Sequence, residues 1–414
     1  MTTKAVVTGI GVASPIGLGV DEYWRRALAG SLGIAPVSRF DPGKYRVRLA
    51  GEVRGFAAAD HLSERLLIQT DRMTQLSLAA ADWAMADAGV RAGELDEYEM
   101  AVITGATAGG YEFGQRELQK LWALGPDHVS TYQSFAWFYA VNTGQISIRN
   151  GMRGPGAVVV TEQASGLDAV GHARRQLRKT GRLAVTGAID SSLCPWAWVA
   201  HHVTGSLSER DDPERAYVPF DEAACGHVPG EGGAILVLET AESVAARTRS
   251  GPGPARAYGE IAGYAATFDS RRAGRTDRGT GLRQAGALAL ADAGLSPADV
   301  DVVFADAAGV PELDDAEASA IVGLFGPYGV PVTAPKTMTG RLYAGGGPLD
   351  LAAALLTVVH GVIPPTVNVR RVAPEYQIDL VCEPRDARIR TAMVLSRGRG
   401  GFNSAVVVRE FTPN

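Results

Sequence analysis

The segment Val158-Val159-Val160-Thr161-Glu162-Gln163-Ala164-Ser165-Gly166 reads as a buried apolar strand, a sharp turn and then a helix running from about Ala164 to Lys179. An acyl-transferring fold mounts a cysteine at such an elbow, because the positive end of the helix favours the thiolate. Here the position is Gln163, whose neutral carboxamide cannot attack a thioester. An ordinary core strand, turn and helix accounts equally well for the hydrophobicity, so the elbow alone does not decide the chemistry. Ser165, two residues after Gln163, could in principle replace the nucleophile, but the nearest candidate bases, His172 and Glu162, have no orienting partner evident in the sequence. His201, His202, His227 and His360 show no metal-ligand spacing, so no metal site is expected and core or solvated histidine is the default.

Two further stations carry charge. The first is Ala305-Asp306-Ala307-Ala308-Gly309-Val310, followed by Asp314 and Glu317; the second is Lys336-Thr337-Met338-Thr339-Gly340-Arg341. With the Gln163 elbow they resemble a β-ketoacyl synthase, in which the corresponding strings read H-G-T-G-T, with acidic residues downstream, and K-x-M-T-G-H. The resemblance extends to Val6 through Pro15, to Pro219-Phe220-Asp221, to Gly230-Glu231-Gly232-Gly233 and to Gly398 through Asn403. It therefore runs from end to end. Cysteine replaced by Gln163, and histidines by Asp306 and Arg341, make the chain most similar to the chain length factor, or KSβ, of bacterial type II aromatic polyketide synthases. The resemblance implies that the three positions converge on one pocket. Asp306 and Arg341 are then expected to pair directly, since burying either charge alone costs several kcal/mol. Lys336, Asp314 and Glu317 match the family and are expected to organise the loops around that pocket. Gln163 would offer its carboxamide oxygen to the backbone amides that hold an acylated cysteine's carbonyl.

What the resemblance implies about function is shape. A non-condensing subunit pairs with an active ketosynthase, KSα, and the growing poly-β-ketone chain extends through a tunnel at their interface. Acyl carrier protein is expected to dock mainly on KSα, with Arg271, Arg272 and Arg275 a secondary contact or simply an exposed charged loop. Two aromatic segments suit the tunnel, Thr107 to Leu118 and Ser134 to Asn142. The family places Tyr111, Gly114 and Leu118 on one interfacial helix, and their i, i+3, i+7 spacing does put them on one face; Phe135 is the tunnel candidate in the second segment. Gly114 lacks side-chain volume, which predicts a deep tunnel and a long backbone, decaketide or beyond. The alternative is a malonyl-carrier-protein decarboxylase that primes the chain, with Gln163 imitating an acyl-enzyme; loss of both histidines counts against it. An independent fatty-acid synthase fails for want of a thiol at the elbow.

Composition fits this reading and excludes others. The 414 residues are 46% hydrophobic with 50 glycines and no linker-like interruption, which suits one tightly packed α/β unit. The net charge of −5 is dispersed and offers no basic patch, so nucleic acid is not expected. No apolar stretch is long enough for a membrane span and the N-terminus lacks a signal-like pattern, giving an expectation of a cytoplasmic protein. Cys194, Cys225 and Cys382 show neither paired nor CxxC spacing. No cofactor is expected: Gly9-Ile10-Gly11 meets serine at position 14, which breaks the dinucleotide fingerprint, and no phosphate-loop string occurs.

The elements that must position these residues alternate. Short apolar runs at Ala5 to Gly9, Ala101 to Thr104, Ala157 to Thr161, Leu183 to Gly187 and Ala234 to Leu238 read as buried strands. Asp71 to Ala88 and Thr280 to Ala293 read as helices that stop at Gly89 and Gly294. Strands near Gly259 to Ala265, Thr391 to Leu395 and Ser404 to Arg409 suggest that the order recurs. Strand–helix alternation gives the α/β class. The resemblance implies a thiolase-type αβαβα layered sandwich of two duplicated halves, residues 1–250 with the Gln163 elbow and 251–414 with the Asp306 and Arg341 stations.

Overall fold

Eleven strands follow one another in a single sheet path of the computed structural model, which describes residues 3–90, 93–250, 255–269 and 279–413. In chain order they are β1 (Ala5–Ser14), β2 (Met100–Gly105), β3 (Gly156–Val159), β4 (Leu183–Asp190), β5 (Gly232–Thr240), β6 (Gly259–Phe268), β7 (Val302–Phe304), β8 (Pro331–Thr333), β9 (Asp379–Leu380), β10 (Thr391–Gly398) and β11 (Phe402–Arg409). Their lateral order is β9-β8-β7-β10-β11-β6-β1-β5-β4-β2-β3. Read outward from the centre, the run β1-β5-β4-β2-β3 matches β6-β11-β10-β7-β8 strand for strand. Pairing agrees as well: in each run the first two contacts are antiparallel and the next two parallel. The runs join where β1 meets β6 antiparallel, Val6 opposite Glu260. All ten residues of β1 are buried, as a strand covered on both faces requires.

The helices that matter for the site are α1 (Arg72–Ala88), α2 (Tyr111–Leu124), α3 (Ser165–Lys179), α4 (Pro195–His202), α5 (Thr280–Ala293), α6 (Pro311–Phe325) and α7 (Gly346–His360). Each of α3 and α7 packs on strands of both runs and on the other, forming the central layer; α1 covers β1 and β5 from one outer side and α5 covers β6 and β11 from the other. This is the αβαβα sandwich. The boundaries have local causes. Asp71 accepts the Met73 N–H at 2.9 Å to cap α1, and Gly89 ends it with a left-handed φ of 65°. Gly9 and Gly11 lie directly under α1, where a Cβ would come within 2.1 Å of the Ala84 carbonyl oxygen and 1.9 Å of that of Ala80. The Gly-Ile-Gly string therefore serves close strand–helix approach. One boundary differs from the sequence expectation: β3 is a partly exposed edge strand that stops at Val159, not a buried strand reaching Thr161. The chain bends away before Glu162.

Candidate functional site

Beyond β3 the chain turns at Glu162, whose φ of 58° lies in the left-handed region. A non-glycine residue holds that conformation only where its surroundings fix it. Here the Glu162 carbonyl accepts the Ser165 N–H at 3.1 Å and the Thr107 hydroxyl at 3.2 Å. Gln163 follows, and α3 starts two residues later. The second half supplies Asp306 just past β7 and Arg341 just past the short 3-10 turn Pro335–Thr337.

Arg341 joins the three. Its Nε donates to Gln163 Oε1 at 2.7 Å, and Nη2 donates to the same oxygen. Nη2 also faces both Asp306 carboxylate oxygens at 3.0 Å, while Nη1 donates to the Asp306 carbonyl at 2.6 Å. The Asp306–Arg341 ion pair expected from the sequence is thus formed, with the two side chains 3% and 6% exposed. Gln163 differs from expectation. Its carboxamide oxygen is bound by the guanidinium and not by backbone amides, because a planar cation offering several N–H groups is the stronger donor. The cavity between Gln163, Asp306, Lys336, Arg341 and Tyr343 is only about 10 Å³. That is room for about one water molecule and none for an acyl chain.

The supporting residues hold backbone. Glu317, on α6, accepts the Asp306 and Ala307 N–H groups at 2.7 Å each, and Asp314 accepts those of Gly309 at 2.9 Å and Phe220 at 3.0 Å. Lys336 donates to the carbonyls of Ala305 at 2.8 Å and Asp306 at 3.0 Å, and pairs with Asp350 at 2.7 Å. Burial pushes Asp306 toward the neutral acid, but Arg341 first and Lys336 next outweigh it and hold the carboxyl below its usual range. Burial, reinforced by the Asp306 charge, pushes Glu317 up to about 7, and burial also takes Asp314 up to about 7. Burial lowers His201 to about 4 and His227 to about 3, the latter helped by Arg341. Both imidazoles are neutral at pH 7. His201 stacks on Tyr343 with ring centroids 4.3 Å apart. Among the described residues no group of three His, Cys, Asp or Glu side chains is placed to hold a metal.

Ser165 is excluded as a substitute nucleophile. It is fully buried, its hydroxyl accepts the Thr161 N–H at 2.8 Å and faces the carbonyls of Glu162 at 2.5 Å and Ala106 at 3.0 Å, and no base touches it. Three site residues escaped the sequence reading. Asp350 was legible as the lone charge in the apolar string Gly346-Gly347-Pro348-Leu349-Asp350-Leu351, which a buried helix tolerates only opposite a cation. Ser396, whose hydroxyl donates to the Gln163 carbonyl at 3.1 Å, and Tyr343 left no such signal.

Of the residues expected to line a tunnel, Tyr111, Gly114 and Leu118 share α2. Tyr111 meets Trp196 of α4 edge to face at 4.8 Å. The space beside Gly114 is not vacant: a Cβ there would lie 3.3 Å from Trp196 Cζ3 and 3.6 Å from Trp137 Cβ. The indole from another helix takes the volume that the glycine gives up. Phe135 sits on the short helix Gln133–Ala136 and packs edge to face on Tyr132, not on Tyr111. A shallow groove lined by Gln115, Leu118, Trp122 and Trp196 opens beside α2. Arg271, Arg272 and Arg275 lie outside the described residues.

Residues 2–243 match the model of the β-ketoacyl synthase N-terminal domain and residues 258–370 that of the C-terminal domain. The chain belongs to the β-ketoacyl synthase family. Within that family it resembles the β subunits. It is 60% identical to the tetracenomycin polyketide synthase ketoacyl synthase beta subunit of Streptomyces glaucescens, over 98% of each chain. It is 56% identical to the actinorhodin polyketide putative beta-ketoacyl synthase 2 of Streptomyces coelicolor, over 99% of each. Among solved structures, the ishigamide ketosynthase/chain length factor superposes with a TM-score of 0.91 at 29% identity, covering 100% of both chains. A type II polyketide synthase ketosynthase, bound to the hexaketide and in complex with its acyl-carrier protein, gives 0.88 at 27% identity, covering 99% of this chain and 100% of the other. The synthase fold is therefore intact around a centre without a thiol.

Proposed function

We propose that this chain is the KSβ subunit of a type II polyketide synthase, pairing with an active ketosynthase and shaping the interfacial tunnel that sets polyketide length in an antibiotic-type pathway. The observation that carries the reading is a filled, thiol-free centre whose Gln163 elbow lies in the same half as a group of exposed aromatic side chains. Trp122 is 83% exposed, and Trp137, Phe138, Tyr139, Val160, Trp196 and Val199 are exposed with it. Exposed apolar groups in such a concentration call for a protein partner. Edge strand β3, followed by exposed Val160, leaves main-chain groups for pairing. Tyr111, Gly114, Leu118 and Phe135 are the proposed tunnel residues, Gln163, Asp306 and Arg341 the disabled catalytic positions, and Glu317 and Lys336 their supports. The growing poly-β-ketone is the ligand, and acyl carrier protein reaches the complex mainly through KSα.

The division into residues 1–250 and 251–414 is proposed on the matched strand runs. Among the described residues no helix is long and apolar enough to cross a membrane, and a cytoplasmic location is proposed with the pathway. Decarboxylative priming is disfavoured, because Gln163 Oε1 is held by Arg341 and does not occupy an oxyanion cradle. Co-expression with a cognate ketosynthase tests the assignment. A one-to-one complex is expected, with product length that changes when the Tyr111 to Leu118 face is altered; a chain that stays alone, or a product indifferent to every such change, refutes it.

A further inference from the structure

Two backbone N–H groups at the elbow converge on one oxygen. Gln163 N donates to Glu162 Oε2 at 2.8 Å, and Arg399 N, from the hairpin between β10 and β11, donates to the same atom at 2.6 Å. The donors come from opposite halves of the molecule, so the arrangement is tertiary and not a local turn. Two such N–H groups beside a helix N-terminus, aimed at one point, are the equipment with which acyl-transfer sites stabilise the oxygen of a tetrahedral intermediate. They stand where the family resemblance puts the amides that hold an acyl carbonyl, and we propose that this chain keeps that cradle permanently occupied with its own Glu162 carboxylate, so that a thiol alone would not restore acyl transfer.

The occupant is suited to the task. A carboxylate makes charge-assisted hydrogen bonds, which a neutral carbonyl oxygen cannot match. The left-handed backbone of Glu162 folds the side chain back over its own elbow, and Gly398 lies so near that a Cβ there would be 3.2 Å from Glu162 Cβ. The two Ser165 and Thr107 bonds to the Glu162 carbonyl hold that strained geometry. Removal of the thiol and closure of the cradle are then separate devices, and restoring the first does not restore acyl transfer. The inference deepens the non-condensing reading.

The test uses the complex of this chain with its ketosynthase, carrying Gln163→Cys alone or with a change at Glu162, and acetyl-N-acetylcysteamine as acyl donor. In loading, the introduced thiolate forms a bond to the thioester carbon, the carbonyl oxygen passes through an oxyanion, the bond to N-acetylcysteamine breaks, and the departing thiolate takes a proton from water. Intact mass reads the two subunits separately, so acylation of the ketosynthase does not interfere. Iodoacetamide alkylation of the same thiol needs no oxyanion and serves as the reference rate. With Gln163→Cys alone, alkylation is expected and loading is slow. Adding Glu162→Gly, a residue at ease at this φ, is expected to raise the ratio of loading to alkylation by about tenfold or more, the order expected when even one oxyanion donor becomes available. Glu162→Gln, whose neutral carboxamide oxygen still reaches the two N–H groups but holds them less strongly than the carboxylate, is expected to raise the ratio by clearly less than Glu162→Gly. An unchanged ratio in Glu162→Gly, or a full rise in Glu162→Gln, overturns the proposal. Glu162→Ala carries the same expectation as glycine if the glycine variant does not assemble. Loading of the unaltered chain would instead refute the non-condensing reading, so the two failures are distinct.

Discussion

At the scale of single residues, the centre is governed by what happens to buried charge. Asp306 and Arg341 neutralise each other at 3.0 Å, with Gln163 Oε1 accepting from Nε and the Asp306 carbonyl from Nη1. Removing one partner leaves a buried charge without a counter-charge, so Arg341→Met or Asp306→Leu alone is expected to cost about 3–5 kcal/mol, and the double change much less than the sum. Chemical denaturation of the four proteins measures this; additive losses would show that the pair is not a unit. Glu317 supplies a pH dependence. Its ordinary value of 4.5 is pushed up to about 7 in the folded chain. A raised carboxyl favours folding fully at pH below its ordinary value, and that contribution is lost as pH rises through the folded value. The melting temperature is therefore expected to fall between about pH 5 and pH 8 more steeply in the parent than in Glu317→Gln. Parallel profiles would contradict the assignment. Asp314, also raised to about 7 by burial and then by the Glu317 charge, acts in the same window, so the comparison reads Glu317 together with its influence on Asp314. The depressed His201 and His227 act in the opposite sense toward acid in both proteins.

At the scale of elements, α2 does not stand free. Asp71 caps α1 through Met73 and, with its other oxygen, accepts the Phe113 N–H at 2.8 Å in the first turn of α2. Glu112, one residue into that helix, pairs with Arg39, which also reaches buried Glu231. The face bearing Tyr111 and Gly114 is thereby anchored at its start. Because Trp196 already fills the space beside Gly114, Gly114→Phe is expected to displace the indole as well as narrow the tunnel, shortening the product. Gly114→Ala, whose methyl meets Trp196 Cζ3 at 3.3 Å, should shift chain length only slightly. Product mass from the reconstituted complex decides; equal lengths for parent and Gly114→Phe would remove this helix from the length gate. The i, i+3, i+7 pattern of α2 was legible in the sequence because periodicity is local. The role of Trp196 was not, since it arrives from a helix more than two elements away and nothing in Pro195-Trp196-Ala197-Trp198 says which indole turns inward: Trp198 is buried and donates to the Val47 carbonyl, Trp196 is exposed.

At the scale of the whole molecule, the fold was readable because its strands are largely apolar runs and most of its helices end at glycine. Gly89 and Gly294 stop α1 and α5 where the sequence puts them, and the family strings fix which loops face the centre. The departures fall where tertiary contact overrides local pattern. Val158, Val159 and Val160 look like core but sit on or just past a partly exposed edge strand. Gln163 looks like a ligand for backbone amides but is claimed by Arg341 from the other half, and those amides are taken by Glu162. A mature interface that covers the aromatic face of such a subunit is expected to bury more than about 2,000 Å². The mutual dependence of Asp306 and Arg341 also bears on ancestry. Exchanging Asp306 for a histidine alone would leave the buried Arg341 guanidinium without its counter-charge, so a return to catalysis through that step is expected to cross a destabilised intermediate. Once the pair is in place it works as a ratchet, and the loss of catalysis becomes hard to reverse by single mutational steps.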